Sequence, residues 1–207
     1  MTVGTGVRRE SPRSKRTLIL SAAIDHFGKV GYEHTKWASI ADEVGIGQTA
    51  LYHYFESKAH CLLTIMRLEL ADSVDRFTAA TEDISDPDAA LRAAISASLA
   101  ASPTDALQRR ILQNHMDLLA TERQSAKEEA ERLQCRELVR QIEINWTSLI
   151  SRGIKAREFT KSDPTMLARL VLALVISVWR WYRPDGDLTI GDITALITDA
   201  AMRVVRK

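Results

Sequence analysis

The chain has 207 residues, 45% of them apolar and 27% charged, with only 9 glycines and 5 prolines; this excludes a disordered or collagen-like polymer and leaves ample material for a core. Its 28 basic and 27 acidic side chains nearly cancel to a net +1, which excludes a protein that coats nucleic acid without regard to sequence. The length suits a small module joined to a larger one. Charge is unevenly placed: Arg8, Arg9, Arg13, Lys15 and Arg16 face Glu10 alone, and His26, His34, His53 and His60 follow. No apolar stretch behind this basic start makes it a secretory signal. The longest apolar run, Leu170–Trp179, is bracketed by Arg169 and Arg180 and is about half of what a bilayer span needs, so a cytoplasmic protein with no membrane partner is expected. Cys61 and Cys135 lie far apart without a CxxC, and both read as small apolar residues rather than metal ligands or a disulfide.

Apolar spacings of 3 and 4 recur from end to end, and period-two runs are almost absent, which predicts an all-α fold. A first helix is predicted from Ser14 to Val30, with Ile19, Ala23, Phe27 and Val30 on one face and Gly31 as its stop. Thr35 is placed to N-cap a second helix of about ten residues, with Trp37, Ile40, Ala41 and Val44 inward and Gly45 at its end. A third, Gln48 to Phe55, turns Leu51 and Phe55 inward and leaves Gln48, Thr49, Tyr52 and His53 to solvent. Ser57 is placed to cap a long fourth helix with the stripe Leu63, Met66, Leu70, Val74, Phe77. Asp86-Pro87, Pro103-Thr104 and Asp163-Pro164 open further helices. They run to about Ala101, Ala120 and Tyr182, with one from about Ala126 to Arg157 between the last two. Arg183-Pro184-Asp185-Gly186 is a turn, and a last helix covers about Ile190 to Val205. The charged run Lys127 to Glu137 reads as a solvated face with pairs such as Glu128 with Arg132.

Two short helices joined by a glycine turn, the second exposing polar and aromatic groups, have the form of a helix-turn-helix whose second helix enters a major groove. Base edges call for short hydrogen-bonding side chains, and Gln48 and Thr49 supply them. Phosphates call for hydroxyls and cations, which Thr35, Lys36, Tyr52, Tyr54 and Lys58 supply, with His53 beside them. Trp37, in an inward position, reads as core. The stretch from Thr35 to Gly47, followed by Ala50-Leu51-Tyr52-His53-Tyr54-Phe55-Glu56-Ser57-Lys58, closely resembles the DNA-binding domain of the TetR family of bacterial repressors. The resemblance implies a homodimer on a palindromic double-stranded DNA operator, released when a small molecule enters the C-terminal domain. It also implies Thr35, Tyr54 and Lys58 on phosphates, Gln48 and Thr49 facing bases, and Tyr52 between base and backbone. Gly47 stands where many members have Ser or Thr, and Gln48-Thr49 where Lys and Gly are frequent, so no operator sequence carries over.

The expected architecture is therefore a basic arm (1–13), a three-helix helix-turn-helix DNA-binding domain (14–60) and a helical ligand-binding and dimerisation domain (61–207). The apolar helices at about 165–182 and 190–205 offer the self-complementary surface that a C2 dimer needs. The family implies a mostly apolar effector cavity among the helices around 86–157, for which Asn114, His115, Met116, Trp146 and Ile150 are candidates, with Trp179 and Arg180 near the interface. The segment Trp179–Gly186 also looks like the corresponding helix end in TetR-type regulators of fatty-acid and steroid breakdown. That likeness implies an acyl-CoA as one candidate effector, with Arg180 or Arg183 near its phosphates. No phosphate loop, metal-ligand spacing or nucleophile elbow points to an enzyme or a cofactor. The alternative is a dimeric small-molecule-binding protein that does not bind DNA.

Overall fold

The computed structural model describes residues 12–206, and the expected basic arm lies outside them except for its last two residues, which are already helical. The described residues form nine α-helices and no strand: α1 (Pro12–Lys29), α2 (Trp37–Val44), α3 (Gln48–Tyr54), α4 (Lys58–Thr81), α5 (Pro87–Leu99), α6 (Pro103–Asn114), α7 (Ala126–Lys155), α8 (Pro164–Trp181) and α9 (Ile190–Val205). The chain divides after Leu62 into two compact units, so the boundary falls inside α4.

In the first unit α1 buries Ile19, Ala23 and Phe27. Val30, predicted on the same face, is 53% exposed, because the helix has already ended at Lys29 and the chain turns away through Gly31, whose φ of 94° suits glycine. Helix α2 buries Trp37, Ile40 and Ala41, and Gly45 at φ 69° ends it, with the N–H of Ile46 returning to the Ala41 carbonyl. The N-cap of α2 is Lys36, not Thr35, and no side chain caps it. Thr35 is buried instead, its hydroxyl donating back to the Gly31 carbonyl at 2.8 Å. Ser57 does cap α4, accepting from the His60 N–H at 2.9 Å.

In the second unit most helix starts follow the sequence cues. Asp86 and Asp163 each accept an N–H from the first turn behind a proline, and Ser102 with Asp105 and Thr189 with Asp192 form reciprocal capping boxes. Helix α6 stops at Asn114, earlier than expected; His115 caps it, and the chain continues as a 3₁₀ turn over Met116–Leu119. In the charged start of α7, Arg132 pairs with Glu129 rather than Glu128, which bonds Arg123. That face is not wholly solvated, since Arg132 and Cys135 are buried and Arg132 donates to the Leu119 carbonyl at 2.9 Å.

Helix α8 is by length and composition apolar enough to cross a bilayer, more so than its central run suggests. Its Leu167, Val171, Val175 and Val178 are buried with Ile193, Ile197 and Ala201 of α9 and Leu91 and Ile95 of α5 in one core. Its opposite face leaves Met166, Leu170, Ile176 and Trp181 exposed, and Leu196 of α9 is 64% exposed.

Candidate nucleic-acid interface and ligand cavity

On α3 the spacing of 4 that buries Leu51 and Phe55 turns Gln48, Thr49, Tyr52 and His53 outward together. Tyr52 is 48% exposed although nothing polar among the described residues holds it there, an arrangement suited to an external partner. Tyr54 is half-buried and Lys36 is exposed at the start of α2. Helix α3 is held from within by Phe55, over whose ring the Arg16 guanidinium lies at 4.6 Å.

Two residues expected on phosphates are occupied otherwise. The Thr35 hydroxyl already donates its hydrogen bond to the Gly31 carbonyl. The Lys58 ammonium donates to the Tyr32 carbonyl at 2.7 Å and the Thr35 carbonyl at 3.1 Å, with Glu33 at 3.5 Å, and lies 4.3 Å from the centre of the Tyr32 ring. It ties the α1–α2 loop to the start of α4. The exposed set is thus Lys36, Gln48, Thr49, Tyr52 and His53, a face of hydrogen-bonding groups with one cation.

The second unit holds a half-open cavity of about 270 Å³, just below the usual range of about 300–1,000 Å³ for small-molecule sites. Leu70, Leu112, Met116, Ile142, Trp146 and Trp179 give it apolar walls drawn from α4, α6, α7, α8 and the 3₁₀ turn. Of the seven residues expected at an effector, Met116, Trp146 and Trp179 line it. The other four do not. Asn114 is exposed, His115 is held by the Ile111 carbonyl at 2.7 Å, Ile150 is fully buried in the core, and Arg180 points to solvent from the same helix as the lining Arg169.

Sequence reasoning missed the polar wall. Glu69 and Arg76 of α4 and Arg109 of α6 line the cavity together. One Glu69 oxygen accepts from Arg76 at 2.8 Å and from Arg109 at 3.0 Å. Arg109 also donates to the Ser98 carbonyl at 3.0 Å and stacks its guanidinium 4.6 Å from the Trp179 ring centre. Burial pulls the Arg109 pKa below its ordinary value and neighbouring Arg76 adds to that, while Glu69 opposes both. One signal was available: Arg109 sits midway between inward Ala106 and Leu112, so the helix period places it inside.

Residues 19–65 match the family described as bacterial regulatory proteins, tetR family, and residues 85–205, more than half of the chain, match the tetracyclin repressor-like C-terminal domain. The chain is a member of the TetR family. The transcriptional repressor KstR2 of Rhodococcus jostii RHA1 is 29% identical to this TetR regulator over 181 residues, 86% of the chain and 85% of the relative. The solved ketosteroid regulator KstR2 of Mycobacterium tuberculosis shares its fold, with a TM-score of 0.80 at 24% identity over 95% of this chain and 97% of that one. AibR, solved with isovaleryl coenzyme A and operator DNA, shares it at a TM-score of 0.76 and 21% identity, covering 90% and 97% of the two chains.

Proposed function

We propose that this TetR-family protein is a ligand-responsive repressor that binds a palindromic operator as a homodimer and is released by a small lipophilic or acyl-CoA effector seated in the cavity of the second unit. The observation that carries the reading is the exposed row Gln48, Thr49, Tyr52 and His53 on α3, in a chain whose other unit holds a half-open, mostly apolar cavity. KstR2, a transcriptional repressor, and AibR, solved with an acyl-CoA and operator DNA, support it.

The exposed face of α8 supports the dimer. Met166, Leu170, Ala173, Ser177 and Trp181 follow one another at spacings of 4, 3, 4 and 4, a single stripe, and all but the half-buried Ser177 are exposed. With Leu196 of α9 this is an apolar surface that an isologous partner would cover. Two recognition helices related by that dyad would meet half-sites about 34–36 Å apart.

Genomic DNA selected on the purified protein and then sequenced tests the reading. The expected product is an inverted repeat whose affinity falls steeply with salt. Gln48→Ala and Tyr52→Ala should each weaken its binding by at least about tenfold, near the cost of a lost base contact, with thermal stability unchanged. Recovery of no site would favour a dimeric small-molecule-binding protein that does not act on DNA.

A further inference from the structure

Glu69 uses half of its carboxylate. Its Oε1 accepts from Arg76 at 2.8 Å and from Arg109 at 3.0 Å, while Oε2 accepts from no group among the described residues. The side chain is only 5% exposed. The polar side-chain atoms that are both sealed from solvent and unpartnered, among the described residues, are Trp37 Nε1, Arg76 Nε and Arg110 Nε. Glu69 Oε2 is unpartnered and is not one of them, so it keeps open surface, and the space that Glu69 lines is the cavity.

Net charge does not choose the ligand. Arg169 and Glu143 add one charge of each sign to the wall from exposed positions, Arg76 and Arg109 are both bound to Glu69, and the exposed Asp72 also pairs with Arg76. What remains is an acceptor oxygen among apolar walls. A molecule that fills the cavity strips the hydration of that oxygen, and unless it donates a hydrogen bond in return it loses about tenfold or more in affinity. We propose that the ligand of this cavity is an apolar molecule carrying one neutral donor, a hydroxyl or an N–H, and that this group donates to Glu69 Oε2. A ligand carboxylate would meet the charge of Glu69, and an ammonium would meet two guanidiniums, so the donor is uncharged. Arg76 of α4 and Arg109 of α6 fix Oε1, which positions Oε2 before the ligand arrives. The inference rests on the reading of this cavity as the effector site and adds to it the ligand's chemical class and the residue that selects it.

Three probes test it on the full chain, read by calorimetry and by the fluorescence of Trp146 and Trp179, which wall the cavity. 4-Phenylbutan-1-ol and 3-phenylpropyl methyl ether are isomers, but only the alcohol donates; 4-phenylbutanoate replaces the donor with a charge. The alcohol should bind at least tenfold more tightly than the ether, although the ether is the less polar, and more tightly than the acid. Glu69→Gln, which keeps an oxygen for the guanidiniums and puts an amide N–H₂ in place of Oε2, should bring the ratio of alcohol to ether near one. Glu69→Asp keeps the charge but draws the carboxylate back by one methylene; it should lose the preference too, and serves if the glutamine variant does not fold. An ether bound as tightly as the alcohol, an acid bound more tightly, or a preference that survives in a folded variant overturns the inference and leaves the effector site standing. Failure of all three probes to bind the parent overturns both.

Discussion

A Cβ built on Gly153 would stand 2.1 Å from Cδ2 of Phe159, so the ring of Phe159 lies where any side chain at position 153 would be. Phe159 is buried, and its N–H returns to the Gly153 carbonyl at 3.1 Å, which folds the chain back over the end of α7. The turn passes through Arg157 at φ 65°. Gly153→Ala must push the ring out of the core and should cost about 1–3 kcal/mol, as overpacking does. At about 2–4 °C per kcal/mol for a chain of this size, the melting point should fall by roughly 5 °C. Adding Phe159→Leu should recover part of the loss, a coupling that a thermal double-mutant cycle would detect.

Lys58 offers a separation of roles. Its ammonium bonds the carbonyls of Tyr32 and Thr35, so Lys58→Met should lower the stability of the first unit by about 1–2 kcal/mol. The salt dependence of DNA binding should keep its slope. Removal of a true phosphate contact would reduce that slope by about one and leave the melting point alone, so one titration and one melt decide between the two.

The exposed stripe of α8 predicts how assembly fails. Leu170 is 51% exposed, and Leu170→Arg should place a cation in the middle of the face that the proposed dimer would cover, without disturbing the core behind it. Light scattering should report a monomer with native helicity, and operator affinity should drop with it because one head alone reads only half a palindrome. A variant that stays dimeric would move the interface elsewhere.

Acid should unfold the chain partly through Glu129. Hydrogen bonds from the Arg132 side chain, and then from the Arg123 N–H, hold its pKa down to about 2 from an ordinary 4.5. A carboxylate depressed on folding adds stability that is complete above pH 4.5 and is lost as pH falls toward 2. The difference in melting point between the parent and Glu129→Gln should therefore be constant at neutral pH and close as pH falls through that window. Added salt should change it little, since Arg132 is buried.

Much of the fold was legible because its signals are local. Asp86-Pro87, Asp163-Pro164 and Gly45 act on their own helix ends, and the structure places those ends beside them. Leu51 and Phe55 were readable as the inward pair of α3 for the same reason, and the outward set followed. What escaped depends on partners distant in sequence. Thr35 looked like a cap until Gly31 took its hydroxyl, and Lys58 looked free until the loop around Tyr32 folded over it. Glu69 and Arg109 are 40 positions apart, so although the helix period turns Arg109 inward, nothing local pairs it with Glu69. His115 and Ile150 carried the right character for a cavity wall but face a carbonyl and the core instead.

Helix α4 runs from Lys58 to Thr81 without a proline or glycine, so it has no built-in place to bend. At 1.5 Å of rise per residue, Arg76 stands ~27 Å along the axis from Lys58. A helix with no breaker of its own does not absorb a tilt at a hinge but carries it along its own length.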